Sequence, residues 1–261
     1  MNIIPISCYM THKDNEKDSD CQDYCRIENN CCAIADGASQ SFYPSLWAKL
    51  LVDNFCEHPN INEKNWEIWL RDIQSDWLLM VTGKVKLLRD KKTSSWITNQ
   101  NRLTSREPAT STFVGLNFEF SNNQLKVAIV GDSCLFILEN GELKKSYLLN
   151  YSDEFSDRPR YLASYQKNND FSPDFLTIGI EENIEVESDN SLYFILATDA
   201  LSEYIFNSRE QSIDVFKGLL EISSKEEFDF FVSQARTQKN PRLKNDDTSL
   251  VVLKCENGVA T

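Results

Sequence analysis

Several aspartates in this chain stand where apolar runs stop. "CCAIADG" ends in Asp36 and Gly37, "KVAIVGDS" reaches Asp132 just after Gly131, and "YFILATDA" ends in Asp199. "NDDTSLVV" sets Asp246 and Asp247 immediately before another apolar run, and "CQDY" puts Asp23 at the mouth of a further one. A side chain at the tip of a buried strand is fixed far better than one on a free loop. Carboxylates gathered in this way repel one another strongly in a low-dielectric setting, and they stay ionised only with cations between them. Hard ions such as Mg²⁺ or Mn²⁺ prefer carboxylate, carbonyl and water oxygens. A glycine beside a bridging aspartate lets a main-chain carbonyl approach as one more ligand. A pair of such ions lowers the pKa of a shared water and steadies the leaving oxygen of a phosphate ester. Taken singly, each aspartate reads equally well as a turn residue bonding nearby main-chain groups. Their joint occurrence carries the argument.

The elements that must position them can be read from hydrophobic period. "NIIPISCYM" alternates and is expected as a first strand, with "DYCRI" and "CCAIA" as two more across the turn-prone "ENN". Residues 43–55 have helical spacing at Leu46, Leu50 and Val52, with Pro44 near the start. Trp66, Trp69, Leu70, Ile73 and Trp77 recur at three and four residues, which marks the buried face of a longer helix rather than a stacking platform. Polar, aperiodic residues 89–108 are expected as a loop. A β-rich block follows: "ATSTFVGLNFEF", "QLKVAIVGDSCLFIL" and "LKKSYLL", with Asn140-Gly141 as a hairpin turn. Residues 151–173 read as an irregular flap, and "FLTIGI", "IEVES" and "LYFILATDA" return to strand. Two helices are expected between Leu201 and Gln238 before "DTSLVVLKC" closes as a strand. Runs of strands with helices grouped beside them argue for an α+β fold in one domain over residues 1–261.

Composition excludes several classes. The 261 residues carry a formal net charge of −13 with no Lys/Arg cluster, so nucleic acid is not an expected partner. No run is long and apolar enough for a membrane helix, and the first residues lack the pattern of a secretory signal. A cytoplasmic protein is the expectation. The eight cysteines form no C-x-x-C pair, and His12 and His58 are the only histidines. Reduced, mostly buried thiols fit this pattern better than structural zinc.

In order along the chain, "CQDY", "AIADGASQSFYPSLWA", "ATSTFVGLNFE", "LKVAIVGDSCLFIL", "FILATDALSEYI" and "NDDTSLVVL" resemble the motifs of the metal-dependent PPM or PP2C family of Ser/Thr protein phosphatases. The likeness is to its compact bacterial members and runs from near residue 20 to near residue 254. It implies a central antiparallel β-sandwich flanked by helices on both faces, a four-layer αββα arrangement with two Mn²⁺ or Mg²⁺ ions at one edge. By motif, Asp36 bridges both ions, the Gly37 carbonyl binds one, and Asp199 and Asp246 hold the other. Asp23 matches an acidic residue acting through water, and Asp132 matches one associated with a third, weaker ion. The implied reaction is hydrolysis of phosphoserine and phosphothreonine by a metal-bridging hydroxide. The implied partners are phosphoproteins and the Ser/Thr kinase whose targets they are.

The chain departs from the family pattern in substrate handling. Ala38 stands where well-studied members have a histidine, and Asp18 stands where a phosphate-gripping arginine is usual. His12 in "YMTHK" is the residue expected to supply a proton or a phosphate contact, with Lys13 or Lys17 nearby. Gln22 replaces a common Glu, and Ala200 a common Gly. Two other readings stay open at this point. One is a pseudophosphatase that binds a phosphoprotein or kinase without turnover. The other is a structural sandwich whose aspartates are only turn residues.

Overall fold

The computed structural model describes residues 2–121, 123–156, 159–169, 176–181 and 191–256. Its strands are β1 (Asn2–Thr11), β2 (Asp23–Glu28), β3 (Cys31–Asp36), β4 (Thr110–Ser111), β5 (Phe113–Glu119), β6 (Gln124–Val130), β7 (Cys134–Glu139), β8 (Glu142–Tyr147), β9 (Leu162–Ala163), β10 (Thr177–Glu181), β11 (Leu192–Ala197) and β12 (Thr248–Glu256). Its helices are α1 (Pro44–Glu57), α2 (Trp66–Asp90), α3 (Trp96–Thr104), α4 (Asp199–Glu210), α5 (Phe216–Glu221) and α6 (Lys225–Thr237). One sheet runs β1-β12-β11-β7-β8 and the other β10-β6-β5-β3-β2, and all their pairings are antiparallel. A two-stranded ribbon, β4-β9, lies outside both.

Alternation along single strands gives the layer order. On β3, Cys32 and Ile34 face the inter-sheet core with Leu135, Phe194 and Val251, while Cys31, Ala33 and Ala35 pack against α1 and α2. On β7, Leu135 and Ile137 face the other sheet, whereas Cys134, Phe136 and Leu138 meet α4 and the helices that follow it. Both faces of the central strands are therefore buried, which explains why they read as continuous apolar runs although the sheets are antiparallel. The result is the expected four-layer αββα sandwich.

Local signals were kept in most places. Trp66, Trp69, Leu70, Ile73 and Trp77 form the buried face of α2. On α1 the buried stripe is Trp47, Ala48, Leu51, Val52 and Phe55, so Leu46 and Leu50 sit at its margin. Asn140 and Gly141 both take positive φ, 54° and 85°, as the tight hairpin between β7 and β8 requires.

Four expectations change. The loop expected over 89–108 contains α3, whose inner stripe of Trp96, Asn99, Gln100 and Leu103 is only half-buried and half polar. It is held by the Arg102–Glu107 ion pair and by Arg102 lying over the Phe42 ring. Three helices, not two, follow Asp199. The run "QLKVAIVGDSCLFIL" is two strands in different sheets, β6 and β7, because Gly131 turns the chain between them with φ +97°. The flap segment holds short 3-10 turns at Ser152–Glu154 and Gln166–Asn168 together with β9, while residues 157, 158 and 170–175 lie outside the described residues. The strand expected at 184–188 also lies outside them.

Candidate metal centre

Strand register brings the aspartates to one end of the sandwich. Asp23 and Asp36 face each other across β2 and β3. In the other sheet Ala197 pairs with both Cys134 and Leu250, so the chain just beyond β11, before β7 and before β12 meets at one level. That level carries Asp199, Asp132 and Asp246. A bond from Ser249 Oγ to Asp23 Oδ2, 2.7 Å, ties the two sheets there. Asp199 opens α4, where its Oδ1 accepts from the Ala200 N–H at 2.6 Å and the helix dipole favours its charge. The carbonyl of Asp36 accepts from Thr112 N and Ser111 Oγ, at 2.9 and 2.7 Å. A Cβ on Gly37 would lie 2.8 Å from the Gln22 carbonyl oxygen and from Pro44 backbone, so only glycine fits at this tip.

Burial and mutual repulsion disturb these carboxyls in one direction. Asp23 is 4% exposed, and burial followed by the charges of Asp247 and Asp199 pushes its pKa up to about 8, against the bond from Ser249. Burial and then Asp199 raise Asp132 to about 7. Burial and Asp246 raise Asp199 to about 6. Asp36 is raised well above the usual carboxylate range by burial and by Asp23, Asp199, Asp246 and Asp132 together. The four charges felt at Asp36 define the cluster.

The protein supplies few counter-charges. Lys13 Nζ lies 2.9 Å from Asp246 and donates to Ser39 Oγ at 2.7 Å. Burial would depress this ammonium, but the bond and charge of Asp246, with Asp247 and Glu16, hold its pKa above the ordinary value. Lys244 pairs with Glu203, and its charge works against the rise of Asp132 and Asp199. Asp247 is already satisfied: its oxygens accept from the main-chain N–H groups of Lys13 and Gln22, at 3.1 and 2.9 Å. It clasps the loop between β1 and β2 and leaves the open position to Asp246. His12 does not turn toward the carboxylates in its bonds. Its Nδ1 meets the Lys13 carbonyl at 2.7 Å and its Nε2 lies 3.6 Å from Asp18.

Two groups went unnoticed in the sequence. Arg236, buried on α6, donates to the carbonyls of His12 and Asp246 and to Asp14 Oδ1, fastening the loops that carry Lys13 and Asp246. A lone arginine in the last turn of an amphipathic helix gives no sign of this. Tyr161 stands beside the cluster, in a segment whose sequence has no period at all.

The chain can be set beside solved structures. The Mycobacterium tuberculosis serine/threonine phosphatase PstP/Ppp matches over 98% of this chain and 99% of that one, with 14% identity and a TM-score of 0.59. The catalytic domain of PstP in complex with two manganese ions gives 0.58 at 14% identity, over the same shares of the two chains. PppA of Pseudomonas aeruginosa, described as a regulatory component of T6SS, gives 0.55 at 17% identity over 97% of each chain. The fold is that of the PP2C-type phosphatases. No protein-family model and no curated protein matches the sequence. At such identity the PP2C likeness speaks for architecture, so the residues themselves must be tested against the metal that it implies.

They fit. Asp23 Oδ1 and Asp132 Oδ1 are buried without a hydrogen-bond partner, a costly state that a cation or its water relieves. Among the described residues, no three or more His, Cys, Asp or Glu side chains stand as a group that could hold a metal ion by themselves. An open set is what Mg²⁺ takes, since it keeps several waters and binds through one or two carboxylates. A cavity of ≈ 630 Å³ lined by His58, Ile61 and Trp69 touches none of the strand-tip aspartates, whereas one of ≈ 290 Å³ opens beside Asp132 and Arg160.

The raised pKa values fix the sign of a pH effect. A carboxyl whose pKa is higher folded than unfolded contributes stability fully present below pH ~4 and lost as pH climbs through its folded value. The loss begins near the unfolded value of ~4, and it is complete at about 6 for Asp199, about 7 for Asp132 and about 8 for Asp23. In EDTA, Tm should therefore fall from about pH 5 to about pH 8.5, and excess Mn²⁺ at the alkaline end should restore it. A Tm that climbs over this range without metal would contradict the cluster.

Proposed function

We propose that this chain is a Mn²⁺- or Mg²⁺-dependent phosphoprotein phosphatase that hydrolyses phosphoserine and phosphothreonine esters. The observation that carries the reading is that Asp23, Asp36, Asp132 and Asp199 lie at one end of the sandwich, their carboxyls raised by burial and by one another's charge. Asp36, the Gly37 carbonyl, Asp199 and Asp246 would hold two ions, with Asp23 acting through water and Asp132 at a weaker third position. Bound there, divalent cations supply the positive charge and the water activation that phosphate ester hydrolysis needs.

The protein's own part is placement. The paired strand ends hold Asp23 and Asp36 opposite each other, and Asp247 and Arg236 fasten the loops bearing Lys13 and Asp246. Lys13 neutralises part of Asp246, a charge that a bound divalent cation would share. Water would attack phosphorus and give up a proton to solvent as the ester P–O bond breaks, and the departing alkoxide oxygen would take a proton from His12 or from solvent. The present bonds of His12 to Lys13 and Asp18 make solvent the simpler donor. No helix among the described residues is long and apolar enough to cross a membrane, which accords with a cytoplasmic enzyme working on the targets of a Ser/Thr kinase.

The direct experiment is phosphate release from a phosphothreonine peptide by the full chain, with Mn²⁺ and with EDTA. Release that depends on Mn²⁺ is expected. Folded protein that binds Mn²⁺ and releases nothing would remove the reading.

A further inference from the structure

A cluster of carboxylates is an unfavourable wall for a phosphate ester, so hydrogen-bond donors at its mouth decide how the substrate sits. Lys13 is one, but its ammonium is already given to Asp246 and Ser39. A second donor enters from a different part of the chain.

Tyr161 is placed by its two neighbours. Leu162 pairs with Ser111 in the β4-β9 ribbon, and Ser111 in turn bridges to Gly37. On the other side, the Arg160 carbonyl packs so closely on Gly131 that a Cβ there would lie 2.9 Å from it. Tyr161 therefore spans the gap between the Asp36–Gly37 tip and the Gly131–Asp132 turn. Its segment is pinned from below: Trp47 Nε1 donates to the Leu162 carbonyl and Gln74 Nε2 to the Ala163 carbonyl, both at 2.8 Å. The Ala109 N–H donates to Ser164 Oγ at 2.9 Å. The ring is half-buried, and its hydroxyl has no hydrogen-bond partner among the described residues.

We propose that Tyr161 is a substrate-contacting residue, whose hydroxyl donates a hydrogen bond to a phosphoryl oxygen of the ester held at the carboxylate cluster. This rests on the phosphatase reading above. No proton changes hands: the O–H orients the phosphoryl group and is released with the product. Burial and the charges of Asp132, Asp36, Asp199 and Asp246 raise the phenol's pKa, which keeps it in the donating form across the working range. A neutral donor of this kind meets a phosphate without adding to the surrounding negative charge, and bonds to a charged acceptor are the strong ones.

The test is Tyr161→Phe in the full chain, which keeps the ring and removes the donor. Four quantities are read: Tm, Mn²⁺ affinity by calorimetry, affinity for inorganic phosphate in Mn²⁺, and kcat/KM on a phosphothreonine peptide. Tm and Mn²⁺ affinity should not move, while phosphate affinity and kcat/KM fall ~10-fold or more. Unchanged phosphate affinity, with the unaltered chain active, overturns the role of Tyr161 and leaves the phosphatase reading standing. A fall in Mn²⁺ affinity equal to the fall in phosphate affinity also overturns it, because the residue then acts on the metal. An unaltered chain that neither binds phosphate nor releases it overturns both.

Discussion

Asp36→Asn is expected to lower Mn²⁺-dependent phosphate release by ~10³-fold or more, the scale on which a fixed charge at a reacting centre counts. Asp36 is the carboxylate on which the charges of Asp23, Asp199, Asp246 and Asp132 all act. The neutral amide has nearly the same shape but cannot stand between two cations. The same change should raise, not lower, the Tm of the metal-free protein near pH 8, because it removes a buried charge repelled by its neighbours. Added Mn²⁺ should then lift the Tm of the unaltered chain and leave that of Asp36→Asn almost still, since a ligand stabilises in proportion to its binding. The opposite pattern, a metal-free variant that melts early and still responds to Mn²⁺, would count against convergence at Asp36. The same variant separates an enzyme from a scaffold: in a pure binding module, partner binding would survive it.

Arg236→Met should be the most damaging single change outside the carboxylates. The guanidinium is 5% exposed and donates to the His12 carbonyl at 3.0 Å, to Asp14 Oδ1 at 2.8 Å, and to the Asp246 carbonyl. Methionine fills much of the space but takes this donor from the His12 carbonyl and Asp14, and leaves the Asp246 carbonyl with Thr248 Oγ1 alone. A loss of about 3 kcal/mol is expected, or roughly 6–12 °C in Tm for a chain of this size. Because the loops bearing Lys13 and Asp246 are both fastened here, Mn²⁺ affinity should drop ~10-fold as well, as when an outer-shell partner of a metal ligand is removed. Arg236→Lys should recover only part of either loss, since one ammonium cannot reach three acceptors set in a fork. Calorimetry with Mn²⁺ and a melting curve decide both points. An Arg236→Met protein of unaltered Tm would show that the loops are held by something else.

The strand-tip aspartates were legible because burial and tip position share one signal: an apolar run that stops at a carboxylate. α2 was legible for a similar reason, its five apolar anchors repeating at helical spacing. α3 was not, because its inner stripe is short and half of it is Asn99 and Gln100. The switch of sheets at Gly131 was hidden too. A strand that continues and one that crosses to the other sheet have the same composition, and only the φ of +97° tells them apart. Tyr161 and Arg236 act through long-range placement, by the β4-β9 ribbon and by the reach of α6. Neither leaves a mark on its neighbours in sequence. Asp246 and Asp247 stand side by side and look interchangeable, yet register gives one to the loop clasp and leaves the other open.

The pairing of β1 with β12 bears on how such a chain emerges from the ribosome. In its sheet β1 is bonded to β12 alone, with Asn2 opposite Glu256 and Thr11 opposite Thr248. β1 must therefore wait for β12, and that pairing is a contact of long sequence separation, the kind that slows folding. Lys13 and Asp14 at the far end of β1 meet Asp246 and Arg236 only after that closure. A nascent chain that stops before Asp246 would carry Lys13 without its ion-pair partner and β1 without the strand that holds it.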